Sequence, residues 1–142
     1  MAKRDLINET YGRIGKVADA NGIESLTEPQ QTLLYAWMAL GVVENGGFSY
    51  FYEVSGKVLE VIAAFRALGL DQWAEAFEAS RSVFPGGKPE EMNYHVRDEW
   101  LEEHQEEVAA RLGPYEQMMF ASDAPLVNAL LQHIERHPSD FA

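Results

Sequence analysis

The chain has 142 residues, 46% of them hydrophobic and 11% aromatic, with no cysteine and 23 acids against 11 bases. That length is enough for one domain with a real core, and the composition excludes disorder. A net charge of −12 disfavours direct nucleic-acid binding, which needs a positive footprint, and the lack of cysteine excludes disulfides, thiolate catalysis and Cys-ligated metals.

No apolar run approaches the ~18 residues of a membrane span. The opening MAKRDLINETYGRIG has the basic residues of a signal peptide, but charges and glycines interrupt any apolar region. A soluble, cytoplasmic protein with no membrane partner is expected. The charge is uneven. Residues 1–70 carry 8 acids and 6 bases, net −2, while residues 71–142 carry 15 and 5, net −10. A field of that size maintains solubility and also attracts basic partners.

Helical periodicity runs through nearly the whole chain. Leu6/Ile7, Tyr11, Ile14 and Val17/Ala18 recur at three- and four-residue steps, and Asn21-Gly22 closes this first helix. Thr27 begins a second, because Thr27 with Gln30 fits a capping box and Pro29 sits in the first turn, where a missing N–H costs little. Leu33, Leu34, Trp37, Leu40 and Gly41 make this helix apolar on most sides, as a central buried helix is.

A third helix starts at Ser55 or Gly56, with Val58, Val61, Ile62, Phe65 and Leu68 on one stripe and Gly69 ending it. Asp71 caps the next, which carries Trp73, Phe77 and Phe84 toward the core until Pro85-Gly86-Gly87. Residues 85–94 read as the longest loop. A helix follows from Asp98 to Leu112, with a turn at Gly113-Pro114. Asp123 caps the last helix, whose apolar face is Leu126, Val127, Leu130, Leu131 and Ile134, before Pro138. No stretch alternates with period two over five residues. The expected fold is all-α, a single domain over residues 1–142 with six or seven helices.

Between the second and third helices stands Val43-Glu44-Asn45-Gly46-Gly47-Phe48-Ser49-Tyr50-Phe51-Tyr52. Asn and Gly tolerate positive φ, so the helix is expected to end in a left-handed cap and turn a corner. Phe48, Phe51 and Tyr52 then lie on one face and pack inward, while Tyr50 points elsewhere. The alternative is an anion site made by the N–H groups at Gly46-Gly47. The Walker spacing fails here and again at Gly86-Gly87-Lys88.

The acids concentrate at Asp98–Val108. On a continuous helix, Glu99, Glu102, Glu103, Glu106 and Glu107 share one face, and Leu101, His104, Val108 and Leu112 the opposite one. Five carboxylates over roughly 12 Å give one charge per ~2.4 Å, against one per ~1.7 Å on duplex DNA. Such a face is either solvated or a binding surface for a basic partner.

Catalytic patterns are missing. His133 and His137 are spaced i, i+4, but the run between them lacks the following Glu and a third ligand. His95 and His104 have no sequence partner, and His104 is placed at the border of the core. Ser49, Ser55 and Ser80 lack a nucleophile elbow. Glu44 and Glu53 flank the corner as a possible carboxylate pair. No catalytic residue, metal or cofactor is assigned, and the chain is read as not an enzyme.

Asn45-Gly46-Gly47-Phe48 followed by Phe51 resembles the signature of the bacterial DNA-mimic protein family, a domain first catalogued as of unknown function. The helix Val58–Leu68 ended by Gly69, the run Ala74-Glu75-Ala76-Phe77 leading to Phe84, and the closing His137-Pro138-Ser139-Asp140-Phe141 agree with it. The likeness covers roughly residues 30–142. Tyr50 and Glu53 depart from the pattern, which often has Gln and Asn there.

The resemblance implies an all-helical fold and, for at least one member, carboxylates presented as duplex phosphates are, on the DNA-binding surface of a helix-turn-helix regulator. The reading is therefore an acidic binding module for a basic protein partner, with a DNA-binding regulator as the specific case. Glu99, Glu102, Glu103, Glu106 and Glu107 are its binding residues, and Asn45, Gly46, Gly47, Phe48 and Phe51 are structural. Two alternatives stay open: a structural or stress-related helical protein charged for solubility, and a small-ligand or metal-dependent enzyme at the Asn45–Tyr52 corner. Monomer and homodimer are both compatible with the sequence.

Overall fold

The computed structural model describes residues 3–142, and among them the periodicities resolve into seven α-helices and no strand. The first, α1 (Lys3–Asn21), runs through Gly12 and Gly15 and buries Ile7, Thr10 and Ile14. Gly22 follows at φ 89 and leads into a 3-10 turn at Ile23–Ser25. The next helix, α2 (Glu28–Val54), opens with the expected capping box. Thr27 Oγ1 accepts from the Gln30 N–H at 3.4 Å, and Gln30 Oε1 accepts from the Thr27 N–H at 2.9 Å. It is the central element, with Leu33, Ala36, Ala39, Leu40 and Val43 wholly buried.

A hairpin follows, made of α3 (Val58–Ala67) and α4 (Asp71–Ser82). Gly69, at φ 75, stands at the reversal. The Leu70 N–H donates to Phe65 O (2.9 Å) and the Gly69 N–H to Arg66 O (3.0 Å), the paired bonds of a Schellman motif. The core condenses on Phe77 of α4, whose ring lies 5.0 Å from Phe48, 5.1 Å from Phe51 and 5.6 Å from Phe65. The first two pairs meet edge to face, which adds about 0.5–1.5 kcal/mol each beyond area burial.

The C-terminal half consists of α5 (Tyr94–Glu103), α6 (Gln105–Ala121) and α7 (Ala124–Arg136). Here the structure corrects the sequence reading. The predicted helix from Asp98 to Leu112 starts earlier, where Asn93 Oδ1 accepts from the His95 N–H (2.9 Å). It breaks at His104 and resumes as α6, which passes straight through the expected Gly113-Pro114 turn. Proline removes the bond to the carbonyl four residues back, but Ala110 is exposed, so that carbonyl can face water. Burial of Val108, Leu112 and Met119 on both sides of Pro114 keeps the helix going.

Two expected caps also differ. Asp71 is the first residue of α4 rather than its cap, and it lies 4.0 Å from Arg66. Asp123 precedes α7 without a side-chain capping bond and pairs with Arg4 instead, at 3.1 Å. The predicted loop at 85–94 contains 3-10 turns at Pro85–Gly87 and Pro89–Glu91.

A seam joins the segment around α7 to the start of the bundle. His133 Nε2 donates to Pro29 O (2.9 Å), Gln30 Nε2 to Asp140 O (2.8 Å) and Arg13 Nη2 to Phe141 O (2.8 Å). Phe141 itself is buried. No helix among the described residues is long and apolar enough to cross a membrane.

Candidate functional site: a glycine corner beneath an acidic bend

At the corner α2 is interrupted at Gly47, so that two helical segments meet there across a kink. Gly47 sits at φ 72, ψ −170, a region open essentially to glycine alone. The expected left-handed cap is therefore a different glycine conformation, in which the chain kinks and resumes its helix. Phe48, Phe51 and Tyr52 turn inward with at most 1% exposure, while Tyr50 stays partly exposed and its side chain sits over Gly46.

The kink leaves the Phe48 N–H free of the helical ladder. Oε1 of Glu116, on α6, accepts from it at 3.0 Å. A Cβ on Gly47 would lie 2.5 Å from that same oxygen. Glycine is thus needed twice, for conformation and for the approach of the carboxylate. The chain's own carboxylate thus takes the Phe48 N–H, the donor next to the Gly46 and Gly47 groups considered for an anion.

Around this contact lies a cleft of about 410 Å³ lined by residues including Glu44, Asn45, Gly46, Gly47, Glu116 and Phe120. Glu44 also pairs with Arg4 at 3.8 Å. Glu53 lines a neighbouring depression with Ser49, Asp98, Leu101, Glu102 and Gln105. The two carboxylates that flank the corner in sequence therefore belong to different clefts.

Below the corner lies an arginine that sequence reasoning did not place. Arg97 of α5 is only 8% exposed. Its Nη2 donates to Tyr52 O at 2.6 Å and its Nη1 to Pro89 O at 3.4 Å. A Cβ on Gly56 would come within 2.8 Å of both of these nitrogens, so Gly56 makes room for the guanidinium. No carboxylate among the described residues forms an ion pair with it. Beside it, the Tyr52 hydroxyl meets Ser80 Oγ at 2.6 Å, and Ser80 donates to Phe77 O. Burial pushes the Tyr52 phenol well up from its usual range.

Glu99, Glu102, Glu103, Glu106 and Glu107 are all exposed, but they do not share one continuous helix. Glu99, Glu102 and Glu103 belong to α5, Glu106 and Glu107 to α6, and His104 stands between them at φ −121, ψ 27. His104 Nδ1 lies 2.8 Å from Trp100 O, and its ring stacks on the Trp100 ring at 3.6 Å. Trp100 in turn donates from Nε1 to Val83 O (3.2 Å). The bend is thus fixed from beneath, with Glu102, Glu103, His104, Gln105, Glu106 and Glu107 around one depression.

None of the five glutamates forms an ion pair among the described residues. The two bases nearest in sequence turn away. Arg97 goes inward, and Arg111 donates to Ser82 Oγ at 3.1 Å. His133 and His137 have rings 4.8 Å apart, but His133 is engaged by Pro29 O and His137 lies 3.9 Å from Asp140. Among the described residues no group of three or more His, Asp or Glu is placed to hold a metal ion.

No curated protein and no solved structure matches the chain significantly. Residues 24–137 match the family described as DMP19-like protein, a span that includes the glycine corner, the buried Arg97 and both arms of the acidic bend. The chain belongs to the DMP19-like protein family.

Proposed function

We propose that the protein is a non-catalytic acidic binding module whose bend at Glu99–Glu107 occupies the basic DNA-binding surface of a protein partner, a transcription regulator being the specific case. One observation carries this reading: five glutamates stand exposed without ion pairs among the described residues, while Arg97 and Arg111 are engaged elsewhere. Charges left uncompensated raise the local potential and steer a cationic surface toward them. The corner supports the scaffold rather than chemistry, because Glu116 occupies the Phe48 N–H donor there.

The test begins with the immobilised protein in cell lysate at low and high salt, since an electrostatic partner elutes as salt rises. The partner is then bound to its duplex DNA, and the protein is added as competitor. Changing Glu102, Glu103 and Glu106 together to Gln removes three charges while keeping shape and helix propensity. The variant is expected to compete poorly while melting at about the same temperature, because Glu103→Gln relieves i, i+4 repulsion with Glu99 in α5 while Glu106→Gln removes a favourable charge from the first turn of α6. Competition equal to that of the parent would mean that this face is only solvated.

A further inference from the structure

A second cleft, of about 440 Å³, opens on different elements: α1, the 3-10 turn at Ile23–Ser25, the first half of α2, and Lys57. None of these carries the five glutamates. Its walls include Tyr11, Ile23, Leu34 and Met38, all partly buried, and the more deeply buried Tyr35. Gly12 and Gly15 of α1 form one edge, and a Cβ built on either meets nothing within 4 Å. Glycine inside a helix costs about 1 kcal/mol relative to alanine, and no packing contact in the bundle requires it at these two positions. What the glycines provide is room.

The charges at the rim run against the rest of the molecule. Lys16 and Lys57 line the cleft against a single acid, Asp19. Lys16 forms no ion pair among the described residues, and Lys57 has only a long contact of 3.9 Å to Glu60. Two cations beside an apolar hollow of small-molecule size, in a chain of net charge −12, match an apolar ligand with one negative group. We infer that this cleft binds a small flat apolar molecule bearing a single anionic group, seated on Tyr11, Leu34 and Met38 with its anion between Lys16 and Lys57.

The test uses 8-anilinonaphthalene-1-sulfonate, an aromatic anion that brightens in apolar surroundings, titrated into the full chain under native conditions. One saturable site is expected. Gly15→Leu fills the cleft while raising helix propensity, so it should abolish that site without lowering the melting temperature. Lys16→Gln and Lys57→Gln, both at exposed positions, should each weaken the probe roughly twofold to fivefold. They should leave the uncharged analogue N-phenyl-1-naphthylamine unaffected. No saturable binding, or binding unchanged in both Gly15→Leu and the lysine variants, would overturn the inference. Should Gly15→Leu fail to fold, the contrast between the two probes in the lysine variants still decides it.

Discussion

The Phe48 N–H and the Glu116 carboxylate lie 3.0 Å apart although 68 positions separate them in sequence. The bond closes the kink of α2 with a group from α6, much as an N-cap side chain closes the first turn of a helix. Glu116→Ala is expected to lower unfolding free energy by about 1–2 kcal/mol. Glu116→Gln, which keeps an acceptor oxygen, should lose less. Urea denaturation of the two variants checks the order, and equal losses would show that the bond is not what stabilises the kink.

Gly47→Ala should be costlier than an ordinary glycine substitution. It places a Cβ in a glycine-only conformation and 2.5 Å from the Glu116 oxygen, so a loss of about 2–3 kcal/mol is expected. Gly41→Ala is the control. Gly41 lies inside α2, and a Cβ added there would meet nothing within 4 Å, so alanine should stabilise by up to about 1 kcal/mol. Thermal melts of opposite sign are the expected result.

Arg97→Met should destabilise by about 2–4 kcal/mol, because the carbonyls of Tyr52 and Pro89 would lose their buried donor. Arg97→Lys should recover only part of this, since one ammonium cannot reproduce a planar fork between two carbonyls. Full recovery by lysine, measured by denaturant unfolding, would show that charge alone matters at this position.

His133 gives a pH dependence with a definite sign. Burial holds its imidazole below the usual 6.5, outweighing the bond to Pro29 O. The unfolded chain therefore takes up this proton before the native one does, so the contribution to stability is present above pH 6.5 and is lost as pH falls below it. Subtracting the pH profile of His133→Gln from that of the parent should isolate this loss. A flat difference between pH 7 and pH 5 would remove His133 from the account.

Features built from neighbouring residues were legible in the sequence. The Thr27–Gln30 box and the Gly69 reversal follow from local backbone chemistry, and both stand as expected. The inward turn of Phe48, Phe51 and Tyr52 was equally clear from their spacing. What could not be read depends on distant partners. A positive φ was expected in the Asn45-Gly46-Gly47 run, but its fall on Gly47 and its particular conformation go with Glu116 arriving from α6. Pro114 looked like a turn because the burial that keeps α6 intact is tertiary. The break at His104 depends on Trp100 being held against Val83, and it divides the acidic face between two helices. Arg97 has the look of a surface charge in sequence, and only the fold shows that Gly56 leaves space for it.

The seam from α1 and α2 to the segment around α7 also bears on how the chain assembles. Its three hydrogen bonds span 104, 110 and 128 positions, whereas the α3–α4 hairpin joins immediate neighbours. Contacts so remote form late, because the entropy of closing a long loop comes before any gain from the contact. Folding is therefore expected to start around Phe77 and spread outward until the seam zips shut. The same order should run in reverse in native-state hydrogen exchange, with amides of α7 opening at a lower free energy than those of α4. Equal protection in the two helices would mean that the seam and the aromatic centre open as one unit.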